Sequence, residues 1–209
     1  MELQIFFKFI VSIFAIVNPI GMLPVFISLT ENFDSESRYK TNRMANIAVA
    51  IILIISLLFG NSFLAFFGIS LNSFRIAGGL LVVIIGMTMI NGKLGENKQT
   101  QGAANDISSK TNVALVPLAM PLLGGPGTIT TVIVWGTNYR SWGYIIGFII
   151  CILLFCFGCW LLFRSAPFIM RRLGQTGLNV VTRIMGLILM AVGVEIMVSG
   201  IRDAFPGLL

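Results

Sequence analysis

Histidine is missing altogether from this 209-residue chain. That removes the imidazole needed for most metal ligation and for a Ser-His nucleophile arrangement. The long apolar runs contain no Asp for a membrane aspartyl dyad, and no Gly-rich loop is followed by Lys-Ser or Lys-Thr to cradle phosphate. Neither catalysis nor a metal or cofactor is expected. Cysteine is scarce, and Cys151, Cys156 and Cys159 all fall in one apolar run, where they read as small packing residues that carry no information on redox compartment. Charge is scarcer still at 11%, against 56% hydrophobic residues. A soluble domain of this composition would lack the polar side chains to cover its surface, so the chain belongs in a lipid bilayer.

Apolar runs near 5–29, 44–67, 74–91, 113–135, 141–163 and 180–201 each approach the roughly 20 residues required to cross the hydrocarbon core. They predict an all-α membrane protein with six transmembrane helices; the period-2 alternation of a membrane barrel is absent. Residues 1–4 carry no positive charge and the run that follows has no small-residue cleavage site, so it reads as the first span rather than a signal peptide.

The third and sixth runs are near copies. Arg75 to Gly92 aligns without a gap on Arg183 to Gly200 at an offset of 108, with identities Arg75/Arg183, Ile76/Ile184, Gly78/Gly186, Leu81/Leu189, Met89/Met197 and Gly92/Gly200. Pro19 and Pro126 interrupt the first and fourth runs at nearly the same offset. The duplication divides the chain into a three-helix repeat at 1–92, a polar linker at 93–110 and a second repeat at 111–209. An odd number of spans per copy inverts the second copy in the membrane, and an inverted repeat with a broken helix in each half is the signature of a secondary transporter.

The net charge of +6 sorts by side. Ten Lys or Arg fall in the loops between spans 1 and 2, 3 and 4, and 5 and 6, and four fall on the other side. Positive loops stay in the cytoplasm, so both termini are expected in the periplasm and the linker inside. The basic residues form no stripe interleaved with aromatics, and nucleic acid is not an expected partner. At 30–43, Asp34 or Ser35 is positioned to cap a helix bearing Arg38, Lys40 and Arg43.

Both breaks have the grammar of a helix restarting at mid-membrane. Asn18-Pro19 places a favoured N-cap before a favoured first helical residue, and Gly21 follows. In Gly124-Gly125-Pro126-Gly127-Thr128, the glycines end one half-helix and Pro126 opens the next, with Pro117 and Pro121 loosening the preceding turns. A restarted helix presents N–H groups and partial positive charge, and the half-helix before it presents carbonyls. Together they would hold a small zwitterionic substrate; the simpler alternative is a pair of packing kinks. The one acid inside a span, Glu195, is either a proton-coupling group or a structural carboxylate paired outward, with Arg202 nearby. Arg75 and Arg183 either snorkel to headgroups or pair at a gate or interface. Gly78, Gly79, Gly86, Gly186 and Gly193 suit close helix approach in lipid.

The segments Phe14 to Phe26, Phe74 to Gly79, Val116 to Gly127 and Thr182 to Gly186 closely resemble the MarC family of bacterial inner-membrane proteins, and the Phe205 to Leu209 tail looks like its YchE branch. The resemblance implies kinship with LysE-type exporters and with SnatA-type carriers that move glycine and alanine on a proton gradient. It therefore implies a transporter of small neutral amino acids in the inner membrane. An efflux carrier for other small metabolites or drugs, or a non-transporting membrane protein, are the rival expectations.

Overall fold

The computed structural model describes residues 2–30, 33–91 and 124–205, and among these every regular element is helical. In chain order they are α1 (Glu2–Val17), α2 (Pro19–Leu29), α3 (Ser35–Phe66), α4 (Leu71–Ile90), α5 (Pro126–Asn138), α6 (Trp142–Arg164) and α7 (Ala166–Ala204). The 93–110 linker, the first half of the expected fourth span with Pro117 and Pro121, and the 206–209 tail lie outside the described residues.

Among the described residues, five helical stretches are long and apolar enough to cross a membrane: Leu3–Leu23, Ser35–Phe66, Leu71–Ile90, Trp142–Arg164 and Asn179–Ala204. Of the expected fourth span, the described residues include α5, whose 13 residues reach about 20 Å, short of the roughly 30 Å core. Apolar side chains cover the outside, among them Phe7, Ile51, Phe59, Ile84, Leu154 and Leu187; an exterior of this kind suits lipid and not water.

Local chemistry sets the helix ends. Asp34, rather than Ser35, caps α3 by accepting from the Ser37 N–H at 3.2 Å, and Ser70 caps α4 by accepting from the Ser73 N–H at 3.0 Å. The sequence places a loop through 164–179, but past the turn at Ser165 the chain there is helical, with a kink at Gly174, where φ is 64°. A side chain would resist that left-handed conformation, and glycine does not. All three cysteines are buried on α6.

Aromatic rings hold one end of the bundle: Phe9 of α1 lies 4.4 Å from Phe148 of α6 and 5.7 Å from Trp135 of α5, ring centre to ring centre. At the other end Phe26 of α2 stacks on Phe163 of α6 at 5.1 Å.

The most intimate contact is between α4 and α7, which run antiparallel. A Cβ built on Gly79 would lie 2.7 Å from the Gly193 carbonyl oxygen, and one on Gly86 would lie 2.7 Å from the Gly186 carbonyl oxygen; further along, one on Gly200 would lie 3.2 Å from the Asn72 carbonyl oxygen. Each advance along α4 is matched by an equal retreat along α7. Gly79 and Gly186, and likewise Gly86 and Gly193, stand 107 residues apart, the separation that also relates Pro19 to Pro126, while the identities from Arg75/Arg183 to Gly92/Gly200 lie at 108.

Candidate functional site

The first break is present as expected, with a backbone that the sequence does not announce. Pro19 has no N–H for the Ala15 carbonyl, and Asn18 turns into the left-handed region at φ 47° and ψ 59°. Asn is among the few side-chain-bearing residues that tolerate this region. The helix path is kept by Asn18 donating its N–H to the Phe14 carbonyl at 2.9 Å and accepting from the Met22 N–H at 3.1 Å. Its side-chain oxygen accepts from the Gly21 N–H at 3.2 Å, while its Nδ2 donates to the Met185 carbonyl of α7 at 3.3 Å. Both ends of the amide are thus engaged, one as a cap and one as a tie to α7. Gly21 sits in the same junction: a Cβ there would lie 2.6 Å from Asn18 Nδ2 and 2.8 Å from Met185 Cβ.

At the second break Gly125 occupies the cap position of α5 in extended geometry with no side-chain hydrogen bond, and Pro126 opens the helix. Gly127 packs where a Cβ would collide with the Val82 side chain of α4 and lie 3.3 Å from Ile16 Cγ2 of α1. Ile16 is two residues before Asn18, so the fold brings the two breaks together. Asn18, Pro19, Gly21, Gly124, Gly125, Gly127 and Thr128 are all buried. Val82 is at the centre of the glycine-lined α4–α7 crossing and Met185 about one turn from it, so both restarts lean on the same helix pair.

Above the breaks, a cavity of about 260 Å³ opens at the end of the bundle where α1 and α4 begin and α5 and α7 finish. It is lined by Ser12 and Ile16 of α1, Arg75 of α4, Thr130, Thr131, Val134 and Trp135 of α5, and Glu195, Ile196 and Ser199 of α7. Two of the expected candidates, Arg75 and Glu195, therefore meet at one site. Arg75 is ion-paired through Nη1 to Asp203 Oδ2, with its own side chain 13% exposed and that of Asp203 51% exposed. This is the pairing alternative for Arg75, with a partner 128 residues away. Glu195 is exposed and, among the described residues, makes neither a hydrogen bond nor an ion pair; the outward partnership with Arg202 is not formed. Arg183 is exposed at the opposite end of the α4–α7 pair, clear of this cavity.

Sequence reasoning missed Asp203, Ser12, Thr130 and Ser199. One signal was available, since Glu195, Ser199 and Asp203 recur every four residues, and Glu195 and Ser199 are the polar side chains of the otherwise apolar stretch 184–201. A second polar feature also escaped notice. Buried Asn46 donates to the Asn42 carbonyl at 2.9 Å and to Asn42 Oδ1 at 2.8 Å, and Asn42 Nδ2 donates to the Trp160 carbonyl at 2.9 Å, tying α3 to α6.

Comparison with known proteins bears on this architecture. Residues 3–205 match the family described as MarC family integral membrane protein. The chain is 54% identical over 208 residues to the UPF0056 membrane protein YhcE of Escherichia coli K12, covering 100% of this chain and 97% of that one. It is 48% identical to a UPF0056 membrane protein of Buchnera aphidicola from Acyrthosiphon pisum, with 100% and 97% covered. To the UPF0056 membrane protein MJ1677 of Methanocaldococcus jannaschii it is 40% identical, covering 98% of this chain and 99% of that one. No solved structure matches the chain. A helical protein with five described membrane-crossing stretches and a family match along nearly its whole length is an integral, multi-pass membrane protein, and it belongs to the MarC family.

Proposed function

We propose that this protein is a secondary transporter of small neutral amino acids, glycine and alanine above all, driven by a proton gradient across the bacterial inner membrane. In this reading six spans form two inverted three-helix repeats, 1–92 and 111–209, joined by a cytoplasmic linker at 93–110, with both termini in the periplasm. One observation carries it. Two helix restarts, Asn18-Pro19 and Gly125-Pro126, lie side by side against one antiparallel helix pair and are related by the same 107-residue shift as the glycine contacts of that pair.

A zwitterion suits such a site because helix ends offer partial charges of both signs without a side-chain ion. The start of α5, where Gly125 contributes no side-chain cap, takes the substrate carboxylate; carbonyls of the α1 half-helix take the ammonium group. The Asn18 amide is tied to Gly21 and Met185 and keeps a second N–H and a second acceptor lone pair for substrate. It holds the break open. Pro19, Gly21, Gly124, Pro126, Gly127 and Thr128 shape the backbone of the site. Because Pro19, Gly21, Gly124, Gly127 and Thr128 are buried, the structure fits a state in which the midplane site is covered.

Uptake of labelled glycine and alanine into proteoliposomes, with and without an imposed pH gradient, tests the proposal. Accumulation that requires the gradient supports it. Transport of other solutes but not of these two would favour an efflux carrier for other metabolites, and dissipation of no solute gradient would favour a non-transporting role.

A further inference from the structure

Beyond the midplane breaks, the cavity shared by α1, α4, α5 and α7 holds the two kinds of charge that a free amino acid carries, on facing elements. Arg75 of α4 and Glu195 and Ser199 of α7 all line this cavity. The Glu195 carboxylate has no partner among the described residues, while Arg75 gives one N–H, on Nη1, to Asp203. A guanidinium carries five N–H donors in a planar fork, so four remain for a second carboxylate. An unpaired acid about 8 Å along α7 from the centre of the glycine crossing is costly to keep at membrane depth unless it has a task. The cavity floor is Ile16, whose side chain also packs against Gly127 at the second break.

We propose that this cavity is a vestibular binding site for zwitterionic amino acids, in which Glu195 receives the ammonium group and Arg75 the carboxylate before the substrate passes Ile16 to the midplane. The inference rests on the carrier reading for its substrate class, though not for its geometry. Charge-assisted contacts at both ends of a small molecule select species that carry both charges. Asp203 shares the guanidinium with the arriving carboxylate and keeps Arg75 oriented in the meantime.

The test uses full-length protein purified in detergent, where membrane orientation plays no part. In a Ser199→Cys variant, the rate of modification by a charged, water-soluble thiol reagent is measured with glycine, acetate or methylamine present; wild-type protein, whose three cysteines are buried, sets the background. Glycine is expected to slow modification, with acetate and methylamine far weaker. Adding Glu195→Gln is expected to raise the glycine concentration for half-protection about tenfold, the loss of one charge-assisted contact. Arg75→Gln is expected to do the same, and the exposed position of Glu195 keeps the test valid if the Arg75 variant folds poorly. Equal protection by methylamine, unchanged protection after Glu195→Gln, or no protection by glycine would each overturn the proposal. Glycine transport without protection would remove the vestibule and leave the carrier reading standing; protection without transport would do the reverse.

Discussion

Gly79 and Gly193 face each other so closely that a Cβ on either would come within 2.7 to 2.8 Å of the other's carbonyl oxygen. Gly86 and Gly186 repeat the arrangement one crossing further on. With lipid tails as apolar as the helices themselves, association in a membrane depends on close packing, and small residues allow backbones to approach.

Substitution of Gly79 or Gly193 by Leu is therefore expected to force α4 and α7 apart at a cost of about 1–3 kcal/mol or more, the usual range for overpacking. Gly158 on α6 has nothing within 4 Å of a built Cβ, and Gly158→Ala is expected to be neutral or to stabilise by about 0.5–1 kcal/mol through helix propensity. Thermal unfolding of purified variants in detergent checks the contrast. Equal behaviour at the two positions would remove the close crossing as a source of stability.

Asn18 serves three needs together: a left-handed backbone, a cap for Gly21 and a tie to Met185. Asn18→Gly keeps the first and loses the others, so a loss of about 1 kcal/mol is expected, most of it from the hydrogen bond to Met185, because glycine is itself a tolerable cap. Asn18→Leu also incurs left-handed strain of roughly 1–2 kcal/mol and is expected to unfold at the lower temperature of the two. If the Leu variant matches the Gly variant, strain at Asn18 contributes nothing.

The Arg75–Asp203 ion pair joins the start of α4 to the end of α7. Arg75→Asp places like charges together and is expected to lower stability by about 1 kcal/mol at most, since Asp203 is half-exposed and such pairs are weak. Adding Asp203→Arg restores an opposite-charge pair and is expected to recover most of the loss. Absence of recovery in the double variant would mean that the two side chains do not meet in the membrane.

Much of this was legible from the sequence because it depends on what residues lack. Pro19 and Pro126 lack an N–H, and Gly79, Gly86, Gly186 and Gly193 lack a Cβ, so breaks and close approaches announce themselves without knowledge of the fold. The contact of α4 with α7 is set by where the Cβ atoms are missing. The pairing of Arg75 with Asp203 and the meeting of Arg75 with Glu195 depend on antiparallel packing of distant segments, which local pattern does not encode. The left-handed turn at Asn18 escaped for another reason: N-caps are ordinarily extended, and here the residue is also held from across the bundle by Met185.

Topology has its own check. A cysteine placed at position 100, in the linker, is expected to react with a membrane-impermeant reagent only after cells are opened, because basic loops stay inside. Reaction from outside intact cells would invert the assignment of both termini.

Passage of substrate through the paired helix breaks is measured most directly by counterflow of labelled alanine in proteoliposomes containing wild-type protein or Gly127→Val. A side chain at Gly127 collides with Val82 and crowds Ile16 where the breaks meet. Wild-type protein is expected to exchange alanine, and the variant, shown by gel filtration to be folded and by flotation to be inserted, is expected to lose exchange. Gly127→Ala, with a smaller intrusion, should fall between them. Exchange by Gly127→Val at the wild-type rate, or none by wild-type protein, would contradict the account.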